Sequence, residues 1–157
     1  MRCKYSTIDP KELMEKTVPE FAIENPVECV FWERGANDTY LVRCASANYF
    51  MRVIRSGAFS REANEFEAEA LNYLHQQGYP VAYPIAKRSG EFIAEIAAPE
   101  GPRFILLTAM AEGDVPDYDL LDNCALVGVS LAKMHQASNC FKTSRQRNPL
   151  FGRGNNL

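Results

Sequence analysis

From Ser60 to about Gln77 the sequence encodes a long amphipathic helix with one carboxylate on its apolar side. At about 100° per residue, Ala63, Phe66, Ala70, Leu71 and Leu74 form one stripe, while Glu62, Glu65 and Glu69 fall opposite. Glu67 lies within that stripe, between Ala63, Ala70 and Leu71. A lone carboxylate there would face several kcal/mol of desolvation, so it calls for a cation. The run Tyr49–Ile54 supplies one: with a period of two, Arg52 shares a face with Phe50 and Ile54. A strand-borne arginine and a helix-borne glutamate, each on the core side of its element, are expected to pair across a sheet–helix interface. A purely architectural salt bridge, or an arginine that snorkels to the sheet edge, would use the same residues.

The surrounding pattern fixes what those two elements belong to. A short helix is expected over 10–17, with Asp9 as cap, Pro10 at its first position and Glu12 as the capping-box acid. Strands follow over Glu28–Glu33, Thr39–Cys44 and Tyr49–Ile54, joined by the short turns 34–38 and 45–48. Gly78 closes the long helix, and the segment from Gly78 to Pro84 forces extended backbone. Two more strands, Phe92–Ile96 and Arg103–Met110, flank a Pro/Gly-containing turn over 97–102. Glu112, Asp114, Asp117, Asp119 and Asp122 then mark an acidic linker before a second long helix over 119–137. Hairpin-linked strands with one inserted helix argue for an α+β fold built on an antiparallel sheet of about five strands.

Composition narrows the function classes. A chain of 157 residues with 46% hydrophobic and 24% charged residues suits one globular domain, with a second complete one a squeeze. A net charge of −3 gives no electrostatic case for nucleic acid or an anionic membrane. No apolar run approaches the ~20 residues of a bilayer span, and Met1–Tyr5 lacks a signal-peptide core, so a cytoplasmic address is expected. The five cysteines, Cys3, Cys29, Cys44, Cys124 and Cys140, include no CxxC pair. They read as free, mostly buried thiols rather than metal ligands. His75 falls on the solvent side of its helix, and His135 reads as a structural histidine at the edge of the stripe Leu120, Cys124, Val127 and Leu131. Trp32 reads as sheet core or rim, without an RNA-binding signature around it.

A short hairpin loop, a strand cation, a helix acid and an extended strand leading into a linker make the order of a kinase N-lobe. There the loop amides cover phosphates, the cation touches them and the acid holds the cation. Over about 28–137 the chain resembles the N-terminal lobe of the aminoglycoside phosphotransferase superfamily, which includes homoserine kinase type II, choline kinase-like and spore-coat kinase-like members. Gly35-Ala36-Asn37-Asp38-Thr39-Tyr40 resembles its Gly-x-Asn loop, and Tyr49-Phe50-Met51-Arg52-Val53 its nucleotide-contacting strand. Glu67 with Leu74, Gly78, Val81 and Pro84 resembles the helix acid and its exit. The run from Phe104 to Gly113 resembles the strand and hinge that hold adenine, and the run from Leu126 to His135 the helix that opens the C-lobe.

The resemblance implies an ATP-binding lobe over 1–110, then a linker and an incomplete start of a C-lobe over 111–157. It implies ATP with magnesium as cofactor and phosphoryl transfer to a hydroxyl of a small metabolite or antibiotic. By the same resemblance Arg52 would contact the α/β-phosphates, with Glu67 orienting it, and Gly35, Ala36, Asn37 and Asp38 would cover them. Ala109, Met110 and Ala111 would meet the adenine edge, with Thr108 behind the ring. The family's HxDxxxxN loop and metal-binding Asp fall well beyond the C-lobe helix, and no acid follows Asp122 here, so no catalytic residue is assigned. The chain is expected to be a truncated kinase, inactive alone, taking a small-molecule acceptor only beside a C-lobe. Its 119–137 helix would then expose an apolar stripe and favour self-association. The alternative is a non-catalytic protein-interaction module that keeps the lobe's fold.

Overall fold

The computed structural model describes residues 3–146; the basic tail from Arg147 onward lies outside them. Five strands form one antiparallel sheet in the order β1-β2-β3-β5-β4. They are β1 (Pro26–Arg34), β2 (Asp38–Cys44), β3 (Asn48–Val53), β4 (Ile93–Ala98) and β5 (Gly101–Ala109). Three helices join them: α1 (Pro10–Glu12), α2 (Arg61–Gln76) and α3 (Leu121–Ser138). The α+β class and the five-stranded antiparallel sheet with an inserted helix expected from the pattern are therefore present.

Strand alternation splits the sheet into two faces. Tyr40, Val42, Met51, Val53, Ile105 and Leu107 point to one and pack with Ile8, Leu13, Val18 and Phe21 of the N-terminal segment. There the Tyr40 hydroxyl donates to the Ile8 carbonyl at 2.8 Å. The expected helix over 10–17 is regular only for its first turn. Asp9 caps it through the Lys11 amide at 2.8 Å, but Leu13–Thr17 widens into a π-turn closed by the Val18 amide on the Leu13 carbonyl. A period near five residues brings Leu13 and Val18, both buried, to the same side, which a 3.6-residue period would not do. Glu12 does not complete a capping box; it pairs with Lys16 at 2.7 Å.

The other face carries Phe50, Arg52, Leu106 and Thr108, since Phe50 lies opposite Thr108 and Arg52 opposite Leu106. Helix α2 covers only its β4–β5 end, where Ala68 packs on Ile93 and Leu106. The buried residues of α2 are Asn64, Ala68 and Leu74, which corrects the expected core stripe. Ala63, Phe66, Glu67, Ala70 and Leu71 are only half-buried and line a cavity instead. The small Ala68 lets the helix approach the sheet closely. Asn64 tolerates burial because its amide donates to the Ser60 carbonyl at 2.8 Å. Ser60 caps the helix through the Ala63 amide at 3.1 Å, and Gly78, at φ +75°, ends it.

Beyond β5 the chain opens out. Leu121, Leu126, Val129 and Leu131 of α3 are exposed, as the expected apolar patch requires. His135 is exposed as well, so the structural role expected for it is not seen. His75, also exposed, is not idle: it stacks on Tyr83 with centroids 3.8 Å apart. After α3 the chain folds back over α2. Phe141 meets Phe66 and Tyr73, and Arg145 bonds Glu65 at 2.5 Å and Glu69 at 3.1 Å. Glu65 and Glu69, on the side of α2 opposite the apolar stripe, thus hold this returning segment. No helix among the described residues is long and apolar enough to cross a membrane.

Three of the five thiols, Cys3, Cys124 and Cys140, are exposed, against the expectation of mostly buried ones. Burial, with Glu28 nearby, pushes the Cys29 thiol up to about 11, and burial also raises Cys44. A thiol reagent at mildly alkaline pH is expected to modify Cys3, Cys124 and Cys140 quickly, and Cys29 and Cys44 only on unfolding. Rapid reaction of Cys29 in the folded chain would contradict this packing.

Candidate functional site

The expected ion pair forms. Arg52 donates from a terminal guanidinium nitrogen to Glu67 Oε1 at 2.6 Å, joining β3 to α2. It is not the buried pair that the two periodicities suggest: the side chains are 32% and 44% exposed. The pair stands in the wall of a cavity of about 510 Å³, lined also by Ala36, Asn37, Ile54, Phe59, Ala63, Phe66 and Leu71. The position of α2 explains this, because the helix reaches the sheet through Ala68 and leaves its Glu67 side beside open space. Arg52 Nε is buried and has no hydrogen-bond partner within the described chain. An unpaired buried N–H on a guanidinium is costly, and an anionic or polar ligand would relieve it.

The β1–β2 turn stands over the same cavity. The Gly35 amide donates to the Asn37 carbonyl at 3.0 Å, and Asn37 Oδ1 accepts from the Arg55 amide at 3.3 Å. A Cβ on Gly35 would project into open space, so nothing within the fold excludes a side chain there.

Asp38, expected over the phosphates, faces the opposite side of the sheet. Its carboxylate is fully buried, bonded by Arg103 at 3.0 Å, by Arg34 Nε at 3.1 Å and by the Tyr5 hydroxyl. Arg103, also fully buried, donates to the Val53, Ile54 and Ser6 carbonyls at 2.9, 3.0 and 2.8 Å. Burial, followed by the Asp38 hydrogen bond, raises the Tyr5 hydroxyl pKa. Sequence reasoning missed this network. Arg103 sits among β-forming residues after a turn and shows no periodic sign that it is a fully buried charge.

The hinge residues form a second place, not the same one. Ala109, Met110 and Ala111 line a separate cavity of about 740 Å³ with Asn48, Tyr49, Pro80 and Tyr83. The Ala109 amide already donates to the Tyr83 carbonyl at 2.9 Å, and the Met110 amide to the Asn48 carbonyl at 3.2 Å. Thr108 is nearly buried and donates weakly to the Phe50 carbonyl at 3.4 Å. Gly35, Asp38 and Thr108 line neither cavity. Along the α2-side face, Phe50 meets Trp32, a residue 54% exposed, with ring centroids 5.8 Å apart. Trp32 is therefore rim rather than core. Trp32 and Phe50 line neither cavity.

No family model matches the chain. It is 38% identical over 147 residues to an uncharacterised protein of Synechocystis, covering 93% of this chain and 41% of that protein. It is 25% identical over 142 residues to a homoserine kinase of Bartonella tribocorum, covering 90% of this chain and 43% of the kinase. Among solved structures, an amicoumacin kinase in complex with AMP-PNP, Ca2+ and Ami matches with a TM-score of 0.70 at 19% identity, over 85% of this chain and 41% of its own. A microcompartment-associated aminopropanol kinase matches with a TM-score of 0.61 at 21% identity, over 91% of this chain and 44% of its own. The chain thus spans about two fifths of the length of the proteins it matches. With an antiparallel sheet, an inserted helix and a strand–helix ion pair in the kinase order, the chain has the fold of the matching part of these kinases and is similar in sequence to homoserine kinases.

Proposed function

We propose that this lobe binds the nucleotide of a phosphotransferase that moves the γ-phosphoryl group of ATP to a hydroxyl of a small molecule. The observation that carries this is Arg52, paired with Glu67 in a cavity wall under the 35–37 turn, with its Nε buried and unpartnered. A polyphosphate would give that guanidinium charge-assisted partners, while Glu67 holds its orientation. The amides of Ala36 and Asn37 would cover the phosphates, since the Gly35 amide is already engaged by the Asn37 carbonyl. Because the Ala109 and Met110 amides are already engaged, the donor to the adenine edge would be the Ala111 amide. Asp38 and Thr108 would act behind the site rather than in it.

Magnesium fits less well. Among the described residues no three His, Cys, Asp or Glu side chains come close enough together to hold a metal ion, so no step here runs through one. Phosphoryl transfer needs carboxylates for metal and nucleophile. In this proposal they lie in the part of the longer relatives that this chain does not span, where the acceptor would bind too.

The test is thermal unfolding of the chain with ATP and with adenosine. Binding at a hundredfold excess over Kd should stabilise the fold by about 2.7 kcal/mol, read as a rise in Tm. A Tm unmoved by saturating ATP would overturn the proposal. It would favour the second reading, a protein-interaction module, which rests on the exposed leucines of α3. That module would show a concentration-dependent mass by light scattering.

A further inference from the structure

We infer that the N-terminal segment Tyr5–Thr7 is a positioning strap for the 35–37 turn, gripping both of its stems from the face opposite the cavity. The inference rests on the nucleotide-lobe reading and adds to it a device that lies outside the site. Arg34 and Asp38 flank the turn and pair with each other across the β1–β2 ladder. Each is held by the strap: Arg34 donates to the Thr7 hydroxyl, and Asp38 accepts from the Tyr5 hydroxyl.

The Tyr5 ring adds a second grip. The guanidinium of Arg34 stands over it at 4.6 Å and that of Arg55 at 5.1 Å, each to the ring centroid. Arg55 is also the residue whose amide holds the Asn37 side chain, so one ring touches both approaches to the turn. The strap itself is fastened. Ser6 donates to Glu100 from its amide at 3.1 Å and its hydroxyl at 2.7 Å, and its carbonyl accepts from Arg103 at 2.8 Å. The turn has no comparable packing of its own, since Gly35 and Ala36 are exposed. The rigidity needed to aim successive amides at a phosphate therefore comes from behind. Tyr5 and Thr7 are positioning residues: they touch the stems and not the cavity.

The test uses the full chain and Tyr5→Phe, which deletes one hydroxyl and keeps the ring, with Tyr5→Ala as the stronger variant. Two readouts are taken: affinity for ATP and for adenosine by titration, and amide hydrogen exchange at residues 35–37. Tyr5→Phe is expected to weaken ATP about three- to tenfold, leave adenosine unchanged and speed exchange at the turn; Tyr5→Ala should do more of each. Equal loss of both ligands would mean a general structural defect, and unchanged exchange would mean that the strap holds nothing; either result overturns the inference. If the unaltered chain binds neither ligand, the nucleotide reading fails separately. The exchange rates then decide whether the strap holds the turn.

Discussion

Replacing Arg103 with methionine is expected to lower the unfolding free energy by about 3–5 kcal/mol, because it strands the Asp38 carboxylate in a site with no water access. The loss should sit at the lower end of that range, since Arg34 and Tyr5 remain on the same carboxylate. Part of that loss comes from outside the ion pair. The Val53, Ile54 and Ser6 carbonyls lose a donor at the same moment. Urea unfolding measures it, and a change below about 1 kcal/mol would show that the network is redundant. The double variant Arg103→Met with Asp38→Leu separates the causes. If the penalty comes from an uncompensated charge, removing both charges should restore much of the stability. If it comes from the lost carbonyl bonds, the double variant should stay as unstable as the single one.

Arg52→Ala is expected to behave in the opposite way, with a large effect on ligand and little on the fold. The Arg52–Glu67 pair is 32% and 44% exposed on its two sides, so its contribution to stability is about 0–1 kcal/mol. Hydrogen bonds to a charged group contribute about 1.5–3 kcal/mol each, which corresponds to about a 10- to 100-fold loss of ATP affinity. Calorimetric titration, run beside the Tm of the unliganded variant, measures both quantities. Unchanged affinity would remove Arg52 from the site. A collapse of Tm without ligand would mean that the pair is architectural, as a strand–helix salt bridge can be. Glu67→Gln, which keeps a hydrogen-bond acceptor while removing the charge, should fall between the two.

These contrasting residues show what the sequence could and could not convey. The strands, the long helix and the partnership of Arg52 with Glu67 follow from periodicity, and the structure contains them. Periodicity reports that one side of α2 is apolar, yet it does not tell a core from a ligand cavity. Ala63, Phe66 and Leu71 accordingly read as core and turned out to line open space. Asp38 carries the reverse error. By the resemblance Asp38 is expected over the phosphates, whereas strand alternation turns its side chain into the fold, paired across the ladder with Arg34. Its partner Arg103 is 65 residues away along the chain, and no local pattern joins the two. The hinge was legible as a stretch, from Phe104 to Gly113, but not in its free hydrogen-bonding groups. Those depend on Tyr83 and Asn48 arriving from elsewhere.

The strand order has a kinetic consequence. β1–β2, β2–β3 and β4–β5 are antiparallel neighbours in sequence, each able to zip up locally. β3–β5 alone joins strands on either side of α2, pairing Phe50 with Thr108 and Val53 with Ile105. Closing that seam requires the whole intervening segment to fold back, an entropy cost that must be met before the contacts repay it. Arg103 fastens this seam from β5, through the carbonyls of Val53 and Ile54, and the Ile54 amide answers by donating to the Phe104 carbonyl at 2.8 Å. The meander and the hairpin are thus two halves that form early and meet late. Arg103, whose loss is expected to cost the fold most, thus stands on the seam expected to close last.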